Sequence, residues 1–382
     1  MKVFVALDTM ESQNLGCQLV SHQLRNFINN SSQITSSYYS STFAEGGLNR
    51  YLHKHDVEEL IESDIVYVNG EGSCSALEMP RRIRHIFKLA WEYHKPVYFC
   101  NFTFDPRWQF KKIVSKEDVD FWLDNLSKCK VVTVRDPISY QYLKRHELKN
   151  LFLYPDLGTS YQPPIERSPK NIVMLGGGSI IKKIIPAKEI YIQKFQEIID
   201  HYSPRYEFVV PDWPSNPESD GEFLKDLTNV KHVSPTYSEY YNLCSQSVLN
   251  ITGRHHGAVM SFAAGCPFLV YQSNMWKMEG DNLFYGTNPL LDIFRIDTEF
   301  DKWIAVIDSV LDNLDQVHDE VKKRQKNILP FAEGHIRVLT KETSNMNMDI
   351  SFIDFNTIDS YIDANTQTIS KTTILNKWSA SL

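Results

Sequence analysis

The chain has 382 residues, 42% of them hydrophobic and 23% charged, enough to bury a sizeable core and to build two domains. A formal net charge of -7 and a pI near 6.0 exclude a protein whose main business is phosphate backbones, so no nucleic-acid partner is expected and local basic clusters are judged as sites. The opening MKVFVALDTM carries an apolar run too short for a secretory leader or a membrane span, and it reads as a first strand. The six cysteines form no C-x-x-C pair and mostly sit in apolar segments, as reduced thiols do. A cytoplasmic location follows, with peripheral attachment to the inner face of a membrane left open.

In chain order, the apolar runs KVFVAL, DIVYVN, PVYFCNF, KVVTVRD and LFLYPD alternate with segments of helical spacing such as residues 18–29 and 79–93. That alternation predicts an α/β fold, a parallel sheet wrapped by helices. A Pro-rich polar stretch over residues 161–170 precedes a second series, NIVMLGGGS, YEFVVPD, VKHVSP, SVLNITG and PFLVYQ. Two Rossmann-like domains are therefore expected, at 1–165 and 166–340. Residues 299–337 read as helical, and the Ser/Thr/Asn-rich tail at 341–382 carries enough apolar residues, Phe352 and Ile358 among them, to pack back on the body.

In doubly wound sheets ligands bind beyond the carboxyl ends of the strands, so those positions are the candidates. After the first run, Asn14 and Gly16 precede a helix and read as a cap or as a hold for a hydroxyl-rich ligand. After DIVYV come Asn69, Gly70, Glu71, Gly72 and Ser73, a tight turn or a place where backbone approaches a ligand while Glu71 accepts hydrogen bonds or a proton. After KVVTV, Arg135 is suited to a carboxylate or phosphate, Asp136 can cap or hold it, and Pro137 and Ser139 open a helix; Asp156 follows the next run.

In the second half, Gly176, Gly177, Gly178 and Ser179, followed by Lys182 and Lys183, form a Gly-rich strand end. It is neither a Walker A loop nor a full dinucleotide fingerprint, and it reads as a plain turn or a phosphate cradle. The densest signal is SVLNITGRHHGAVMSFAAG, where Gly253 permits a turn and Arg254, His255 and His256 stand between a buried strand and a small-residue helix. A helix N-terminus repels a cationic histidine and attracts an anion, so these residues point to a ligand that supplies negative charge. Lys277 and Glu279 follow the next strand and are expected in the same crevice.

Together these segments resemble the polysaccharide pyruvyl transferase family: Asn14 to Gly16, the NGEGS strand end, Arg135-Asp136-Pro137-Ile138-Ser139, Asp156, Arg254-His255-His256-Gly257 and Lys277. Cys17 stands where that family often has Asp, and NGEGS replaces its usual Gly-Gly-Gly. The resemblance implies two Rossmann-like domains facing a cleft, similar to GT-B glycosyltransferases, with the acceptor on the N-terminal side and the donor on the C-terminal side. It also implies transfer of a pyruvyl group from phosphoenolpyruvate to a glycan or lipid-linked saccharide as a ketal, with no cofactor and no metal.

The residue chemistry agrees. Phosphoenolpyruvate carries a phosphate and a carboxylate and needs at least two cationic clamps, for which Arg135, Arg254 and Lys277 are available. His256 is the candidate acid, with Glu71 or Asp136 as base. On this reading Arg254→Ala and His256→Ala lose transfer with the melting temperature nearly unchanged. A GT-B-type glycosyltransferase with a nucleotide-sugar donor is the alternative, and a sugar-binding protein without catalysis a third reading. Asp118-Val119-Asp120 reads as the acidic first turn of a helix capped by Ser115, and His53 to Asp56 as an exposed charged turn.

Overall fold

The computed structural model describes residues 1–41, 51–71, 79–106, 115–178, 185–214, 219–272, 275–286, 294–295, 298–340 and 348–366. Gly72, Ser73, Cys74, Ser179, Lys182, Lys183 and the end of the tail lie outside them. The chain divides into two compact units, one of residues 1–161 and 328–359, the other of residues 162–327 and 360–382.

In the first unit the chain runs β1 (Lys2–Asp8), α1 (Leu15–Asn30), β2 (Ser36–Ser41), α2 (Lys54–Glu62), β3 (Ile65–Glu71), α3 (Arg81–Glu92) and β4 (Val97–Phe102). It continues through α4 (Lys116–Lys128), β5 (Val131–Val134), α5 (Pro137–Arg145) and β6 (Leu151–Leu153). The six strands form one parallel sheet in the order β2-β1-β3-β4-β5-β6. The central strands are buried throughout and read in sequence as mainly apolar runs.

The second unit holds β7 (Ile172–Gly178), α6 (Ile185–Tyr202), β8 (Glu207–Pro211), α7 (Asp220–Phe223), β9 (Val230–Val233), α8 (Tyr237–Gln246) and β10 (Leu249–Gly253). Then follow α9 (His255–Ala263), β11 (Phe268–Val270), α10 (Lys277–Phe284), α11 (Phe300–Leu311) and α12 (Leu314–Ile328). Its parallel sheet has the order β11-β10-β7-β8-β9. Strand order reverses between β1 and β3 in one unit and between β7 and β10 in the other, and each reversal opens a crevice at the carboxyl ends of those strands.

The boundary falls after Tyr161 rather than 165, and the expected second domain does not keep residues 328–340. After α12 the chain rejoins the first unit through α13 (Gly334–Arg337), because Ile336, Val338 and Leu339 bury themselves among Val3, Val5, Val20, Leu24 and Tyr67. The described part of the tail is ordered: α14 (Phe355–Thr366) buries Ile358 and Ile362. No helix among the described residues is long and apolar enough to cross a membrane.

Candidate functional site

The carboxyl edge of the first sheet gathers polar groups that have little water around them. Asn14 caps α1, its Oδ1 accepting the Gly16 and Cys17 N–H groups at 3.0 and 3.3 Å. Its side chain is therefore spent on the helix. Glu71 ends β3 with a φ of 23°, a backbone value unusual for a residue with a Cβ, and its Oε2 accepts the Thr9 hydroxyl at 3.0 Å. The strand reversal explains the meeting, since Thr9 follows β1 and Glu71 ends its neighbour β3. Burial and then the Glu71 carboxylate push the Cys17 thiol well above its ordinary range, so it stays protonated. Asn69 lies two residues earlier on the same face of β3, buried, with neither amide atom hydrogen-bonded among the described residues. Gly70 is a strand residue whose missing Cβ leaves room for Phe102 Cβ, 2.6 Å from where that carbon would stand. Packing, not ligand approach, requires it.

Farther along the edge, Arg135 follows β5 directly and donates from NH1 to Asp156 Oδ2 at 2.8 Å and from Nε to Thr103 at 3.3 Å. Its charge partner is thus Asp156, which also caps the turn at Leu157 through the Gly158 N–H. Asp136 serves the helix instead: Ser139 N–H donates to its Oδ1 at 2.8 Å and the Ser139 hydroxyl to its Oδ2 at 2.6 Å. Burial raises its pKa to about 6 against those bonds.

In the second unit the basic triplet Arg254, His255 and His256 falls at the β10–α9 corner. Arg254 is the N-cap residue of α9, His255 and His256 its first two residues, and all three are buried. Arg254 grips Asp220 at the start of α7 with two donors, Nε to Oδ2 at 3.0 Å and NH2 to Oδ1. The same Oδ2 accepts the Gly177 N–H from the end of β7, at 3.0 Å. His255 Nδ1 lies 2.8 Å from both oxygens of Asp281 on α10, and its ring meets that of His256 edge-on, centroids 4.7 Å apart. Lys277 opens α10. Glu279 is buried and accepts the Tyr361 hydroxyl at 3.0 Å, with Arg295 at 3.5 Å.

Strand end and crevice thus gather Gly177, Gly178, Arg254, His255 and His256 as the sequence suggests, but the glycines have another purpose. A Cβ on Gly177 would collide with the Asp220 carboxylate, and one on Gly178 would stand 2.8 Å from the Tyr271 ring. The Gly177 N–H is already given to Asp220. Elsewhere, Ser115 caps α4 through the Asp118 N–H, and Asp56 receives the His53 N–H at the start of α2, so both acidic strings are helix starts.

A family model for polysaccharide pyruvyl transferase matches residues 14–274. The chain belongs to that family. The match takes in every candidate from Asn14 to Gly257, while Lys277 and Glu279 fall just beyond it, and the family makes the protein a transferase. No curated protein matches the transferase by sequence. Among solved structures it resembles the UDP-GlcNAc 2-epimerase of Methanocaldococcus jannaschii in complex with UDP-GlcNAc and UDP, at 13% identity over 89% of this chain and 100% of that one, TM-score 0.56. It also resembles the UDP-GlcNAc 2-epimerase of Neisseria meningitidis bound to UDP-GlcNAc, at 14% identity over 90% and 100% of the two chains, TM-score 0.53. These likenesses show a GT-B-type fold.

Asp220, Asp281 and Thr9 are the residues of the transferase's two edges that motif reasoning missed. Asp220 and Asp281 lie 34 and 26 positions from the residues they bind, and no local spacing announces them.

Proposed function

We propose that the transferase moves the pyruvyl group of phosphoenolpyruvate onto a diol of a glycan or lipid-linked saccharide and closes it as a cyclic ketal. The observation that carries this reading is the β10–α9 corner, where Arg254, His255 and His256 crowd a helix N-terminus and Lys277 opens the next helix. A small ligand with a phosphate and a carboxylate suits that concentration of positive charge and oriented N–H groups.

In the proposed sequence His256 gives a proton to C3 of the enol, and the electron deficiency this leaves at C2 is met by one sugar hydroxyl, whose proton passes to the general base. The C2–O bond to phosphate then breaks, phosphate departs with its electron pair, and the second hydroxyl closes the ketal while releasing its proton. Asp220 keeps Arg254 aimed and its charge partly balanced, so Lys277 carries more of the donor's charge than sequence reasoning assigned to it. Between the two candidate bases, Glu71 is preferred, because both Asp136 oxygens are engaged by Ser139. Acceptor recognition is assigned to the edge of the first sheet, with Asn69 and Glu71. The five described cysteines are free thiols, which supports a reducing compartment.

Glycosyl transfer from a nucleotide sugar is the second reading, favoured by the UDP-GlcNAc bound to the epimerases of like fold. The engaged Gly177 N–H and the ring against Gly178 leave that strand end less to offer a diphosphate. Calorimetric titration of phosphoenolpyruvate against a panel of nucleotide sugars, CMP-linked acids included, separates the two. Saturable phosphoenolpyruvate binding, weakened about tenfold or more by Lys277→Ala, is the expected result. Binding of a nucleotide sugar with phosphoenolpyruvate inert would overturn it.

A further inference from the structure

We propose that Asp281 and His255 form a positioning dyad that holds the His256 ring in the orientation from which it delivers its proton, an inference that rests on the pyruvyl-transfer reading. His255 is the first residue of α9 and Asp281 lies in α10, so successive βα units on adjacent strands β10 and β11 meet at this pair. Both side chains are buried, and Nδ1 stands 2.8 Å from each carboxylate oxygen. A carboxylate only accepts, so the Nδ1 proton belongs to His255 and the tautomer and ring plane are fixed together.

That fixed ring is the wall against which His256 rests. The two rings are 4.7 Å apart at 63°, an edge-to-face contact that admits few other placements of the second ring. Arg254, one residue earlier, is held from the opposite flank by Asp220 on α7. The turn that carries the proton donor is therefore clasped by carboxylates from two different helices, and one of them acts on His256 through His255. The geometry is that of a carboxylate orienting a catalytic imidazole, with one more ring interposed.

The test uses two readouts on the full chain with 15N-labelled histidine. The first is the His256 ring resonances in wild type, Asp281→Asn, His255→Ala and His255→Asn, whose amide nitrogen takes the place of Nδ1 and donates to Asp281. The second is phosphate release from phosphoenolpyruvate with methyl hexopyranosides bearing free 4,6-diols as acceptors. Asp281→Asn and His255→Ala should broaden or split the His256 signals and lower kcat by about 100-fold with KM for phosphoenolpyruvate within about threefold. His255→Asn, which keeps a donor to Asp281 but has no ring for His256 to rest against, should disturb the signals and lower kcat as alanine does.

Unmoved His256 signals in His255→Ala would overturn the dyad, as would moved signals with unchanged release, or a His255→Asn that behaves like wild type. If one variant fails to fold, the remaining ones still decide between these outcomes. A wild type that binds no phosphoenolpyruvate would overturn the donor assignment, and the ring signals then judge the dyad by themselves.

Discussion

Replacing Arg254 by alanine takes a guanidinium from a carboxylate that has almost no contact with water. Asp220 is 0% exposed, and its ion pair with Arg254 offsets the cost of taking the two groups out of water. Removing one partner of such a pair destabilises by about 3–5 kcal/mol. The expectation of an unchanged melting temperature, natural for a residue seen in sequence only as a ligand clamp, is therefore revised for Arg254. Neutralising the partner should undo much of the damage, because asparagine at 220 still offers an oxygen to the Gly177 N–H. Urea unfolding of wild type, Arg254→Ala and the Arg254→Ala/Asp220→Asn double variant should show the double recovering more than half of the loss. Equal losses in single and double variants would mean that the buried charge is not the cause.

At the level of strands and helices, sequence patterns located most of the architecture, and the exceptions have identifiable causes. Strands β3, β4 and β10 are buried along their whole length, so they appear as mainly apolar runs, broken by buried polar residues such as Asn69, Asn101 and Asn250. Strand β2, SSYYSS, escaped because it is an edge strand, half exposed, and it is held by pairing with β1 rather than by its own apolar content. The glycines were legible as special positions but for the wrong reason. Gly253 is the last residue of β10, and a Cβ there would press into the Tyr271 ring, 2.7 Å from its Cζ; Tyr271 itself donates to Gly176 O at 2.6 Å. Gly253→Ala should thus cost about 1–3 kcal/mol by overpacking. In a Tyr271→Leu background the added methyl group should cost less than about 1 kcal/mol, a difference that thermal unfolding of the four proteins would read. A penalty as large beside leucine as beside tyrosine would place the demand for glycine in the backbone instead.

Across the whole molecule, the least legible feature is that the chain returns after α12 to the unit it left at residue 161. A helical pattern over residues 299–337 says nothing about which sheet will receive its end, since apolar residues such as Ile336 and Leu339 would suit either core. The return buries His335 completely, with its Nδ1 2.6 Å from the Thr133 hydroxyl, and burial lowers its pKa to about 3. Below the unfolded value of about 6.5 the unfolded chain binds a proton that the native state refuses, so this contribution is complete at pH 7 and declines as pH falls. Asp136 acts in the opposite sense: its native pKa is about 6, above the unfolded value of 3.8, so the native state gains protons first and stability rises as pH falls through that window. The two effects partly cancel in the wild type, but the difference between wild type and His335→Gln isolates the histidine. From pH 7 to pH 5 the stability advantage of the wild type should shrink by about 2 kcal/mol, measured by hydrogen exchange of the β4 and β5 amides. An advantage that does not change with pH would mean that the native state holds His335 in a form able to take the proton.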